Sequence, residues 1–203
     1  GNIDLKTNGD YKMKATIQNK FFKVKYLSGL YEPNLLQLYF KGNHHEWDNN
    51  FKSIFFNKLS SHLKYEKNNF YISPFIDIIS INDHIYLSEG MDQIQISGVL
   101  NYNQIGLDIN FSLFNRIFNL ENKFTYSTTS KSAKNIINIP RIHSYLRIYY
   151  EGSWFSKSVP VQLGFNFFYR SDYYGNAYEP SLQSYYVQNS FKLENNLRSN
   201  IFF

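Results

Sequence analysis

The residues with most potential for chemistry stand in a row, His44-His45-Glu46, two imidazoles and a carboxylate of the kind that bind zinc. Adjacent residues on an extended chain point to opposite sides, so the two imidazoles do not converge on one ion. No further ligand stands at helical spacing from them. The plainer reading is the stronger: Asn43 to Phe51 organises a turn, with Trp47 placed at a membrane–water interface. Serine, histidine and aspartate are plentiful, but there is no G-x-S-x-G elbow, no P-loop and no dinucleotide fingerprint. The chain is therefore expected to carry no catalytic residue, no metal and no cofactor.

Charge offers more than nucleophiles do. Arg141, Arg147 and Arg170 fall on the polar parity of alternating segments. In a wall with one lipid face they would point inward, because Arg near a bilayer midplane costs about 2–4 kcal/mol. They then form either a cationic constriction favouring anionic solutes, or closed pairs with Asp108, Glu151 or Asp172 that hold the wall together. The residues alone leave both open.

The elements that position these side chains follow period two. Val161, Leu163, Phe165, Phe167 and Tyr169 alternate with Gln162, Gly164, Asn166, Phe168 and Arg170. Ile105, Leu107, Ile109, Phe111 and Leu113 alternate with Gly106, Asp108, Asn110 and Ser112. Ile142, Leu146, Ile148 and Tyr150 alternate with Arg141, His143, Tyr145, Arg147 and Tyr149. Alternation over about nine residues is a strand signal long enough to cross a bilayer. Weaker runs cover Tyr11 to Ile17, Phe22 to Tyr26, Leu63 to Tyr65, Tyr71 to Ile81, Ile94 to Tyr102, Phe124 to Tyr126, Tyr186 to Leu193 and Leu197 to Phe203. Roughly ten to twelve strands result. Asn8-Gly9-Asp10 reads as a tight turn, as do Glu66 to Asn69, Asn82-Asp83, Asn115-Arg116 and Glu194 to Asn196, while Ser127 to Asn138 is a longer break. Gly98, Gly106 and Gly164 are placed to let strands curve.

Composition agrees with that pattern. Of 203 residues 19% are aromatic, yet mean hydropathy is -0.43. Many rings on a polar chain suit a barrel with a lipid face, aromatic girdles and a wet interior. Cysteine is absent, which excludes disulfides and thiolate metal sites. The net charge of +5 is dispersed, without the basic block of a nucleic-acid arm, and no nucleic-acid partner is expected. No apolar run reaches the roughly 18 residues a membrane helix needs, which leaves barrel strands possible. A soluble β-sandwich also alternates, but its strands average about five or six residues, shorter than these.

Two segments break the alternation, Tyr26 to Phe51 and Arg170 to Asn189, and they carry a resemblance. Asn43-His44-His45-Glu46-Trp47-Asp48-Asn49-Asn50-Phe51 resembles the N-H-x-x-W-x-N-x-F stretch of the putative porins of Bacteroidetes-type, Gram-negative bacteria. Leu146 to Gly152 followed by Val161 to Gly164 is similar to a strand pair of that family. Tyr169 to Pro180, which includes Tyr178-Glu179-Pro180, resembles its Tyr-rich loop, and Tyr185 to Asn189, ending in Gln188-Asn189, that loop's exit. The family barrels run longer than this chain, so the resemblance implies a single outer-membrane barrel domain over residues 1–203, shortened relative to its relatives.

The expected protein is all-β, an antiparallel up-and-down transmembrane barrel or part of one. Ile105, Leu107, Ile109, Phe111, Val161, Leu163, Phe165 and Phe167 would face lipid. Asp108, Asn110, Arg141, His143, Arg147, Gln162, Asn166 and Arg170 would line the lumen. Passive diffusion of small solutes is the expected function. A plugged scaffold barrel within a larger outer-membrane complex, or a soluble β binding module, would be the alternatives. Expected partners are outer-membrane lipid and lipopolysaccharide, small solutes and other outer-membrane proteins.

Overall fold

A computed structural model describes residues 1–5, 9–155 and 158–203. Eleven strands form one large sheet: β1 Asn2–Leu5, β2 Tyr11–Gln18, β3 Phe22–Tyr31, β4 Ile54–Leu63, β5 Tyr65–Lys67, β6 Phe70–Asn82, β7 Val99–Leu113, β8 Phe118–Thr129, β9 Ile142–Trp154, β10 Val159–Arg170 and β11 Asn196–Phe202. All pairings are antiparallel. Every strand neighbours the next in sequence, the order of an up-and-down meander, except that β4 and β5 both pair with β6. The sheet is open: β1 and β11 are its edges and are not paired with each other.

β4 and β5 are one line of chain interrupted by a proline. His62 stands opposite Phe75 and Tyr65 opposite Ile72 in the same register, and Pro74 falls in the gap between them. Proline has no N–H for the ladder. The Ser73 hydroxyl supplies a donor instead, bonding the Leu63 carbonyl at 2.6 Å.

The two ends of the sheet differ. At one, short turns join β2 to β3, β5 to β6, β7 to β8 and β9 to β10. At the other lie the long connections 32–53, 83–98, 130–141 and 171–195. The long ones are built: they contain a one-turn helix, Leu35–Leu38, and four two-stranded hairpins or ladders. The turn read at Asn8-Gly9-Asp10 includes Asn8, which lies outside the described residues; Gly9 takes φ 93.

Several boundaries depart from expectation. The runs read separately around Ile94–Tyr102 and Ile105–Leu113 divide elsewhere: Gln93–Gln95 belongs to a loop hairpin, and Val99–Leu113 is one strand of 15 residues. Tyr186 to Leu193 is not one strand: Tyr186 ends the short strand Ser184–Tyr186 and Lys192–Leu193 forms another, and between them Gln188 turns inward, its amide taking the bonds a ladder would need. Gly98, with φ 118, lies before β7 and curves no strand. Gly106 and Gly164 do lie within strands, each beneath a facing ring: a Cβ at Gly106 would strike the Phe75 ring and one at Gly164 would meet the Tyr149 Cβ at 2.5 Å.

Candidate functional site

Register decides which side chains share a face. Asn110, Glu121, Arg147, Asn166 and Asn200 form one row across β7 to β11, and Gly106, Thr125, His143, Arg170 and Asn196 another. Asp108 stands opposite Lys123, and Gln162 opposite Glu151. The expected polar residues Asp108, Asn110, His143, Arg147, Gln162, Asn166 and Arg170 therefore lie on one face. Arg141 does not join them. It precedes β9, and its guanidinium donates to the Tyr126 hydroxyl at 3.1 Å. Tyr126 pairs with Ile105 and Ile142 on the opposite face, so Arg141 belongs to the rim of the loop end.

The other face carries the apolar rows. Ile105 lies opposite Ile76, Leu107 opposite Phe124, Ile109 opposite Ile72 and Phe111 opposite Phe70. On β10, Val161 opposes Gly152, Leu163 opposes Tyr150, Phe165 opposes Ile148 and Phe167 opposes Leu146.

Burial runs the reverse of a soluble sheet. Ser60, Ser73, Asp77, Asn119, Thr125 and Ser127 are buried, at 9% exposure or less, and all belong to the polar face. Ile76, Ile78, Ile105, Ile148, Leu163 and Phe165 of the apolar face are 41–51% exposed. Soluble proteins bury such residues and expose hydroxyls and carboxylates. Crowding on the polar side shows that this is the concave side of the sheet.

The apolar band has borders. Towards the loop end it gives way to Ser28, Asn57, Ser80 and Asn101, bonded as Tyr26 hydroxyl to Asn57 and Ser80 hydroxyl to Asn101. Towards the turn end it meets rings in edge contact, Tyr65 with Phe70 with Phe111, and Phe114 with Phe118 with Tyr150. Phe21, Phe114 and Phe155, all 65% exposed or more, sit at the tips of three short turns.

On the concave face five charges are held by ion pairs or hydrogen bonds. Lys58 Nζ lies 2.9 Å from Asp77 Oδ2. Arg147 lies 3.9 Å from the Glu121 carboxylate, donates to Gln162 at 2.7 Å and is sandwiched between the Tyr149 and Phe202 rings. The Tyr149 hydroxyl donates to the same Glu121. Arg170 donates to the Tyr173 hydroxyl. The carboxylate partner of Arg147 is thus Glu121, not Asp108 or Glu151. Sequence reasoning passed over it, although Glu121 and Arg147 are direct cross-strand neighbours, because residues 118–123 alternate too weakly to give a register.

The family-like residues assemble at the loop end. Asn43 and His44 are at the tip of the hairpin Tyr39–Lys41/Glu46–Asp48, where Phe40 and Trp47 stack at 4.9 Å. The Trp47 indole donates to the Leu36 carbonyl, so this ring packs a loop and is not on a wall strand. Phe51 closes the segment. Tyr178 faces Tyr185 across a second hairpin with Pro180 at its turn. Gln188 is 4% exposed, donates to the Gly175 and Phe191 carbonyls and accepts from the Ser190 and Phe191 amides. Asn189 donates to the Asn135 carbonyl and Asn138 to the Gln188 carbonyl, tying connection 171–195 to 130–141. Beside them a cavity of about 580 Å³ is lined by Lys131, Lys134, Arg141, Asp172, Tyr173 and Lys192. Lys192, bonded to Asp172, holds that carboxyl below the usual carboxylate range.

An antiparallel meander with polar side chains on its concave side and aliphatic ones outside has the polarity of an outer-membrane barrel wall. A family model agrees. The family described as "Putative porin" matches residues 1–203, and the chain belongs to it. No curated protein matches the chain.

Proposed function

We propose that the chain forms the wall of an outer-membrane β-barrel through which small solutes diffuse, without catalysis and without a cofactor. The exchanged polarity of the sheet carries this reading: hydroxyls, amides and ion pairs are sheltered on the concave side, while isoleucine, leucine and phenylalanine stand exposed on the convex one. Lipid covers the convex band, and the rings bordering it sit at the interface. Seven strands have 10–15 residues, enough to cross the roughly 25 Å apolar band of such a membrane with tilt. Short turns at one end and built loops at the other match the two sides of a bacterial barrel.

The test is fractionation followed by conductance. The full-length protein is expected in outer membranes, migrating differently on a gel before and after boiling, and conducting in planar bilayers. Recovery in the soluble fraction without detergent overturns the barrel. A folded, silent barrel that co-purifies with other membrane proteins replaces the pore with a scaffold.

A further inference from the structure

Arg147 and Arg170 of the concave face are engaged, but a second group of cations there is not. Lys12 and Lys14 of β2 and Lys23 and Lys25 of β3 have the parity of the polar rows: Lys12 opposes Gly29, Lys14 opposes Leu27, Lys25 opposes Thr16 and Lys23 opposes Gln18. Across the next pairing, Lys23 and Lys25 meet His62 and Ser60, not carboxylates. Asp77, one strand further, is taken by Lys58. Asp4 stands opposite Lys12 on β1. Among the described residues none of these four lysines makes an ion pair.

Their spacing makes the charges act together. Residues two apart on a strand are about 7 Å from each other and strands about 4.8 Å apart. Both distances are below the Debye length of about 8 Å at physiological ionic strength, so each lysine lies inside its neighbour's unscreened field. Lys23 feels the charges of Lys25, Lys64 and Lys14. A row of four ammonium groups along a concave wall, faced by the single carboxylate of Asp4, raises the local concentration of anions and repels cations.

We propose that this lysine strip is the solute-attracting wall of the pore and gives it a preference for anionic solutes, small molecules bearing carboxylate, phosphate or sulfate groups. The proposal rests on the pore reading above and assigns selectivity to Lys12, Lys14, Lys23 and Lys25, not to Arg147 or Arg170.

The experiment uses the full-length protein in planar bilayers under a potassium chloride gradient. Wild type should show a reversal potential on the anion side at low salt. The preference should shrink towards 1 M salt, where the Debye length is about 3 Å. The variant K12E/K14E/K23E/K25E should move the reversal potential to the cation side, and Arg147→Gln should move it less, because Glu121 already offsets that charge. Where the quadruple Glu variant fails to give the heat-modifiable band, the Lys→Gln set at the same positions should abolish the anion preference. A folded wild type that conducts nothing overturns the pore reading and this proposal with it; a conducting wild type that prefers cations, or whose selectivity ignores all four lysines, overturns this proposal alone.

Discussion

Gln104 and Ile105 are consecutive residues in opposite environments. Ile105, at mid-strand of β7, is 51% exposed on the apolar face. Gln104 faces the concave side directly opposite Asp77, one of whose oxygens has no hydrogen-bond partner among the described residues. Ile105→Arg should destabilise the protein by about 2–4 kcal/mol in denaturant titrations of vesicle-folded material. Gln104→Arg should cost little, since the guanidinium meets a carboxylate. Equal effects would show that the faces are misassigned. The Lys58–Asp77 pair gives a second test on the same scale. Lys58→Met leaves Asp77 sheltered without its cation and should cost about 1–3 kcal/mol, with Asp77→Asn added to it recovering part. The parity of β7, β9 and β10 was legible in the sequence because their alternation is clean. The engagement of each arginine was not, because a pairing depends on the register between strands, which no single strand encodes.

At the scale of elements the loop end titrates. Burial lowers the His84 imidazole below its ordinary value near 6.5, so folding favours the neutral ring. Stability from this group is therefore complete above pH 6.5 and is lost as pH falls below it. Asp172 has the same sign in a lower window: Lys192 holds its carboxyl down, so that contribution persists until the carboxylate range near pH 4. Cleavage of connection 130–141 by a lysine-specific protease, at Lys131 or Lys134, should thus accelerate between pH 7.5 and 5.5. His84→Asn should flatten that dependence, and acceleration unchanged in the variant would place the titration elsewhere. Turns at Asn68, Asp83 and Asn115 were readable from the sequence, and each of these residues takes a positive φ. β4 was not readable beyond its last residue, because its run Phe55-Phe56-Asn57-Lys58-Leu59-Ser60-Ser61-His62 places polar and apolar residues on both parities. The strand forms there because β3 and β6 each offer a ladder to it.

The whole molecule presents two unpaired strand edges and a convex apolar face. Such a surface templates association in water. Without detergent the chain should scatter light as polydisperse aggregates, and in detergent micelles it should give one narrow species. A narrow species in plain buffer would exclude the exposed apolar face. The all-β class and the sequential strand order follow from alternation and turn spacing, which is local information. The assembly of the loop end is not local: Asn43, Tyr178 and Gln188 could be seen as loop residues, but not that their connections share hydrogen bonds with others remote in the chain.

That last feature has a bearing on time. The Ser190 hydroxyl bonds Glu89 across 101 residues, and the Val187 amide bonds the Leu87 carbonyl over a similar stretch. Each wall hairpin needs only the closure of a single connection, whereas these bonds cannot form until β6 to β10 lie side by side. Contacts so distant along the chain are intrinsically slow. During assembly the cap must be the last part to become resistant to exchange, so protection of the Val187 amide serves as a clock for completion of the sheet.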